Sequence, residues 1–191
     1  MDATKLLIAD HKTVEGLFKQ FEKAGKKAGK TKRKIADQVI RELSVHAVIE
    51  EQVFYPALRE RSDVLEDMAL EALEEHHVAK WTLSELEGMP PEHERFEAKM
   101  KVLMENIRHH VKEEERELFP KVRKAFKPDE LRQMGEALEA AKVMAPTHPH
   151  PRSPDEPPGN IVAGTFAKVM DTGRDVVKSM AAKTTRAKRG S

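Results

Sequence analysis

Two segments of this 191-residue chain echo one another, and that echo restricts the fold more than any other feature. HAVIEEQVFYP runs from His46 to Pro56, and HVKEEERELFP runs from His110 to Pro120. In each, a Glu follows the His by four residues (Glu50, Glu114) and a second Glu comes directly after (Glu51, Glu115). A bulky pair, Phe54-Tyr55 or Leu118-Phe119, then leads into a Pro ten residues beyond the His. The segments upstream repeat too. Asp10-His11 places its His 35 residues before His46, and Glu75-His76 places its His 34 before His110. The body is therefore two copies of one hairpin, each offering His and then His-x-x-x-Glu. Packed antiparallel, two such hairpins bring six groups to one level.

The hairpins are helical. Glu, Lys, Ala, Leu and Met dominate the first 144 residues, and apolar residues recur at spacings of three and four rather than two. Leu7, His11, Val14, Phe18 and Phe21 share one stripe, which Gly25 to Gly29 ends. Thr31 opens a second run, with Ile35, Val39, Leu43, His46 and Phe54 on its face. Ser62 and Asp63 are candidate caps for a third, and Glu66 is placed to complete a capping box from Asp63. That run carries Leu65, Leu73, His76, Leu83 and Leu86, and Gly88-Met89-Pro90-Pro91 breaks it. A fourth, from Glu92 to Phe126, carries Phe96, Met100, Leu103, Ile107, His110 and Phe119. A shorter fifth follows Lys127-Pro128, with Pro128 suited to a first helical turn. The expected fold is all-α: an up-down-up-down four-helix bundle with a short fifth helix over 1–144.

Beyond it the composition changes. Residues 145–160 hold six prolines and read as an extended linker. Residues 161–191 read as a weakly helical, basic tail ending in Lys183, Arg186, Lys188 and Arg189. Residues 1–144 carry 26 basic and 29 acidic groups and residues 145–191 carry 8 and 4, so a net charge of +1 conceals −3 and +4. Only the tail suits an anionic partner, and its lack of interleaved aromatics speaks against specific nucleic-acid binding. The chain has no cysteine, which excludes disulfides, thiol nucleophiles and Cys-based metal sites. No apolar run approaches the 18 to 20 residues that a membrane helix takes, roughly, and the first residues resemble no secretory signal, so a cytoplasmic location is expected. Oligomeric state is not legible.

Spacing gives the repeat its chemistry. Positions i and i+4 share a helical face, with Cβ atoms about 5–6 Å apart, so His46 with Glu50 and His110 with Glu114 can each grip a common centre. His11 and His76 complete four imidazoles and two carboxylates, a donor set suited to two borderline-hard ions such as iron. A carboxylate on a core stripe is costly unless it pairs or coordinates. Asp10, Glu75, Glu51 and Glu115, beside the ligands, are candidates to accept hydrogen bonds from the imidazoles or to ligate in their place. His76 is preferred to its neighbour His77 because it aligns with Leu73, Ala79, Leu83 and Leu86 and repeats Asp10-His11. The Pro ten residues on selects His110 over His109. His93, His109, His148 and His150 read as surface residues. Tyr55, the single tyrosine, is a candidate proton donor, although as the counterpart of Phe119 it reads first as a packing aromatic.

This series, His11, His46-x-x-x-Glu50, His76 and His110-x-x-x-Glu114 with its two aromatic-Pro endings, resembles the hemerythrin-like HHE cation-binding family over residues 1 to 126. The resemblance implies a four-helix bundle around two non-haem iron ions. Family members bind or sense oxygen, handle peroxide or nitric oxide, or store and deliver iron. Two departures stand out. Oxygen-carrying hemerythrins have a second His four residues after the third-helix ligand, where this chain has Lys80. They also have a carboxylate five residues after the fourth-helix His, where Glu115 stands beside Glu114. Fewer imidazoles imply an open coordination position rather than reversible oxygen carriage. The expected function is a di-iron protein that binds or senses oxygen or a related small oxidant. The alternatives are an enzyme that decomposes hydrogen peroxide or reduces nitric oxide, and an iron-storage or docking protein.

Overall fold

The computed structural model of the protein describes residues 1–25 and 28–151. The expected tail helix and most of the proline-rich segment lie outside the described residues. Within them the chain is all-helical, without strands. Helix α1 spans Ala3–Lys23, α2 Gly29–Ile49, α3 Tyr55–Arg59, α4 Asp63–Leu86, α5 Phe96–Glu113, α6 Phe119–Ala125 and α7 Pro128–Met144. Helices α2 and α3 form one continuous rod through residues Glu50–Phe54, and α5 and α6 form another through Glu114–Leu118. With α1 and α4 these rods make the four-helix bundle.

Local chemistry sets the ends. Asp2, in extended conformation, caps α1 by accepting the Lys5 N–H at 3.0 Å. Ser62, rather than Asp63, caps α4: its extended backbone aims Oγ at the Leu65 N–H, which leaves Asp63 and Glu66 as favourable charges in the first turn. Pro128 opens α7, and the Glu130 carboxylate turns back to accept the Lys127 N–H at 2.7 Å. The α5–α6 rod starts at Phe96, four residues later than expected, because residues 91–95 form turns and a bend instead.

The two rods share a feature that 3.6-residue periodicity does not disclose. Glu50–Phe54 and Glu114–Leu118 are π-helical turns, in which the Tyr55 N–H donates to the Glu50 carbonyl and the Phe119 N–H to that of Glu114. A proline inside a regular helix has no N–H for the carbonyl four residues back, and its ring crowds that carbonyl. A wider turn immediately before Pro56 and Pro120 eases the crowding by the ring, and π turns concentrate at functional sites.

Every apolar residue named on the four stripes is buried. They form two separate clusters. One is built from Val14, Phe18, Phe21, Ile35, Leu83, Phe96 and Leu103 among others. The other holds Leu7, Phe54, Leu65, Leu73 and Phe119 and is closed over by Leu131, Met134 and Leu138 of α7. Burying each large side chain contributes about 1.5–3 kcal/mol. Helix α7 reaches this position because Gly135 lets the N-terminal strap pass. A Cβ there would lie 2.2 Å from the Met1 carbonyl oxygen. Between the two apolar clusters lies a polar layer.

Candidate metal centre

The polar layer consists of His11 from α1, His46 and Glu50 from the α2–α3 rod, His76 from α4, and His110 and Glu114 from the α5–α6 rod, all buried. Glu50 and Glu114 stand one regular helical turn after His46 and His110, at the residue where each π turn begins, so each enters the layer on the same face as its histidine. The four imidazoles present Nε2 inward. His11 and His46 bring these atoms to 3.2 Å of each other, and His76 and His110 to 3.3 Å. Glu50 Oε2 lies 3.1 Å from His46 Nε2 and 3.4 Å from His76 Nε2, so it spans the two pairs. Glu114 Oε2 does likewise, at 3.3 Å from His11 and 3.6 Å from His110. The donor atoms fall into two overlapping groups, His11–His46–Glu50–Glu114 and Glu50–His76–His110. Within each, all lie within 4.8 Å of one another.

Each imidazole meets a carboxylate on its outer side. His11 Nδ1 stands 2.9 Å from Glu115, His76 Nδ1 3.2 Å from Glu51, and His110 Nδ1 2.7 Å from Glu75. His46 Nδ1 faces Asp10 at 3.7 Å, too far for a direct hydrogen bond, and Asp10 is itself held by Lys142 of α7. Carboxylates in this place fix the tautomer that leaves Nε2 free to ligate.

The chemistry of the donor set fits a cation. Both oxygens of Glu50 and Oε2 of Glu114 are buried without a hydrogen-bond partner among the described residues. Such atoms cost about 1–3 kcal/mol each when left unmatched, and a cation between them removes that cost. Burial, then the charges of Glu114, Asp10 and Glu51, push the Glu50 carboxyl far above the ordinary range. Burial would raise Glu114 as well, but the neighbouring charges of His110, His11 and His46 outweigh it and hold that carboxyl low. Burial lowers His46 to about 4 and also depresses His76, which keeps both imidazoles neutral at ordinary pH.

Tyr55 packs as its repeat counterpart does: its ring centroid lies 5.4 Å from that of His76, while Phe119 stacks on His11 at 5.9 Å. Its hydroxyl adds what Phe119 lacks, donating to Glu114 Oε1 at 2.9 Å and lying 3.3 Å from His76 Nε2. His77 points away from the layer and accepts from the Trp81 indole at 3.1 Å. His109 is exposed beside Glu113, and His148 pairs with Glu87. Sequence reasoning assigned Lys80 no role. It is buried, with Nζ 2.9 and 3.0 Å from the two oxygens of Glu51. A lysine on an apolar stripe four residues from His76 was the available signal.

A cavity of about 20 Å³ adjoins the layer, walled by the four histidines, Lys80 and apolar side chains that include Leu43 and Leu83. It has room for one water or a ligand of two or three atoms. A groove of about 440 Å³ between α1 and α5 opens to solvent next to it, and His11, Val14, Ile107 and Val111 line both.

Comparison with known proteins agrees with this arrangement. Residues 2–122 match the hemerythrin HHE cation binding domain. The chain is 30% identical over 173 residues to an uncharacterized hemerythrin-like protein of Schizosaccharomyces pombe, covering 90% of this chain and 84% of that one. It is 27% identical over 145 residues to a DNA nickase of Nostoc sp., covering 74% of this chain but only 39% of the nickase. The fold is similar, with a TM-score of 0.64 at 24% identity, to the crystal structure of a hemerythrin HHE cation binding domain-containing protein from Mycobacterium kansasii. That match covers 75% of this chain and 86% of the other. Two duplicated hairpins, a convergent layer of histidines and glutamates, and a match spanning the whole bundle lead to one assignment: the chain belongs to the hemerythrin HHE cation-binding domain family.

Proposed function

We propose that this protein holds two non-haem iron ions between its hairpins and takes up oxygen or a related small oxidant beside them. One observation carries the reading. Four inward Nε2 atoms and three unpartnered carboxylate oxygens converge in one buried layer next to a cavity of ligand size. His11, His46, Glu50 and Glu114 would hold one ion, and His76 and His110, with Glu50 shared, the other. Bound iron supplies Lewis acidity and one-electron chemistry. The protein's own part is to keep His46 and His76 neutral by burial, to orient the imidazoles through Glu115, Glu51 and Glu75, to exclude bulk water, and to limit the size of what enters.

A second reading, turnover of peroxide or nitric oxide, is favoured by Tyr55. Its phenol donates to Glu114 inside the layer and stands 3.3 Å from His76 Nε2, and burial with the charges of Glu114 and Glu50 raises its pKa far above the ordinary tyrosine range. Reconstitution followed by elemental analysis tests the shared premise, with about two irons per chain expected. Uptake of oxygen or nitric oxide without consumption supports the first reading. Sustained peroxide loss that falls in Tyr55→Phe supports the second. Stoichiometric absence of iron defeats both.

A further inference from the structure

Resting on the metal reading above, we infer that Lys80 makes the ligand cavity selective for small anions over neutral molecules of the same size. Besides the four imidazoles, Lys80 is the one ionisable side chain on the cavity wall; the rest of the lining is aliphatic. Its ammonium group has three N–H donors, and Glu51 is its hydrogen-bond partner among the described residues. Two oxygens of one carboxylate leave a third donor for whatever occupies the space beside it. Lys80 is part of the cavity lining and Glu51, which balances its charge, is not.

The repeat sharpens the point. Four residues after His76 stands Lys80, whereas four after His11 stands Glu15, which lies at the surface and pairs with Arg108. The duplicated hairpins thus differ in charge at matching positions, and only the lysine is turned inward. The Lys80–Glu51 pair also continues to His76 Nδ1, so a single lysine both steadies that imidazole's partner and charges the wall. A unit charge a few ångström away, at an effective dielectric of about 20, is worth well over tenfold in binding, and the opposing charge of Glu51 cancels part of it.

The experiment compares azide, a triatomic monoanion, with nitric oxide, a neutral diatomic, on iron-reconstituted protein by spectroscopic titration. The variants are Lys80→Gln, Lys80→Met and Lys80→Arg. Iron content and thermal midpoint are measured for each. In Lys80→Gln and Lys80→Met azide affinity should fall about tenfold while nitric oxide affinity stays within about twofold, and Lys80→Arg should keep most of the azide affinity. Unchanged azide affinity in iron-replete variants overturns the inference, as does an equal loss for both ligands, which marks Lys80 as scaffolding alone. An unaltered protein that holds no iron removes the metal reading and this inference with it.

Discussion

Glu50 is the side chain whose role reverses most sharply between the metal-free and the loaded protein. It is fully buried, neither oxygen has a hydrogen-bond partner among the described residues, and three other carboxylates surround it. Without a cation it should therefore destabilise the fold. Glu50→Met keeps nearly the same volume and removes the polar atoms. An unsatisfied buried polar group costs about 1–3 kcal/mol, and in a domain of this size each kcal/mol moves Tm by about 2–4 °C. The metal-free variant should thus melt several degrees above the metal-free parent. The gap has a pH signature. Burial raises the folded-state pKa of Glu50 above its unfolded value, so the native state retains a proton that the unfolded chain releases. Parent stability then falls as pH climbs above the unfolded carboxyl pKa of about 4.3, and the advantage of the variant widens over that window. With iron the order inverts. The parent gains stability as RT ln(1 + [L]/Kd), about 4 kcal/mol at a thousandfold excess over Kd, and the variant gains little. Differential scanning calorimetry of both proteins, with chelator and with ferrous iron, at several pH values from 4.5 to 8, measures each quantity. A metal-free Glu50→Met that melts below its parent would show that Glu50 is satisfied within the protein itself and would refute the reasoning.

Three further expectations follow from the same coordinates. His76→Ala should lose at least one iron per chain, whereas His77→Ala should retain both, since His77 touches Trp81 and not the inner layer; metal analysis of the two variants decides. Acidification below the ordinary imidazole pKa should release iron as protons compete for Nε2, first from His110, whose pKa rises because Glu114 and Glu75 outweigh its burial; chelator-trapped iron measured against pH reports it. Gly135→Ala should destabilise by about 1–3 kcal/mol through its clash with the Met1 carbonyl, despite the roughly 1 kcal/mol that alanine offers a helix; a higher Tm would disprove the tight crossing of α7 over the N-terminus.

The stripes from Leu7 to Phe119, and the inward placement of His76 over His77, were legible because helical periodicity alone determines which residues share a face. So was the convergence of the six histidine and glutamate side chains, since duplication of a hairpin makes matching positions meet. The π turns were not, although their cause lay in plain view at Pro56 and Pro120. Period analysis assumes a constant pitch and cannot register one residue of local unwinding. The partner of the Tyr55 hydroxyl, Glu114, and the Lys80–Glu51 pair escaped for a related reason: each contact runs across helices, between residues 59 and 29 apart, and such distances appear only once the bundle closes. The passage of the N-terminus over Gly135 belongs to the same class of feature.

The groove between α1 and α5 gives the two halves of a nearly symmetric centre unequal exposure. It ends on His11 and Glu115, whereas the Glu51 that supports His76 is sealed behind Lys80. Ions on the two sides would therefore exchange at different speeds. The one beside His11 should exchange faster in both directions, so brief chelation followed by addition of a second element is a route to a defined heterometallic protein. In such a species each half of the duplicated scaffold could be probed spectroscopically on its own.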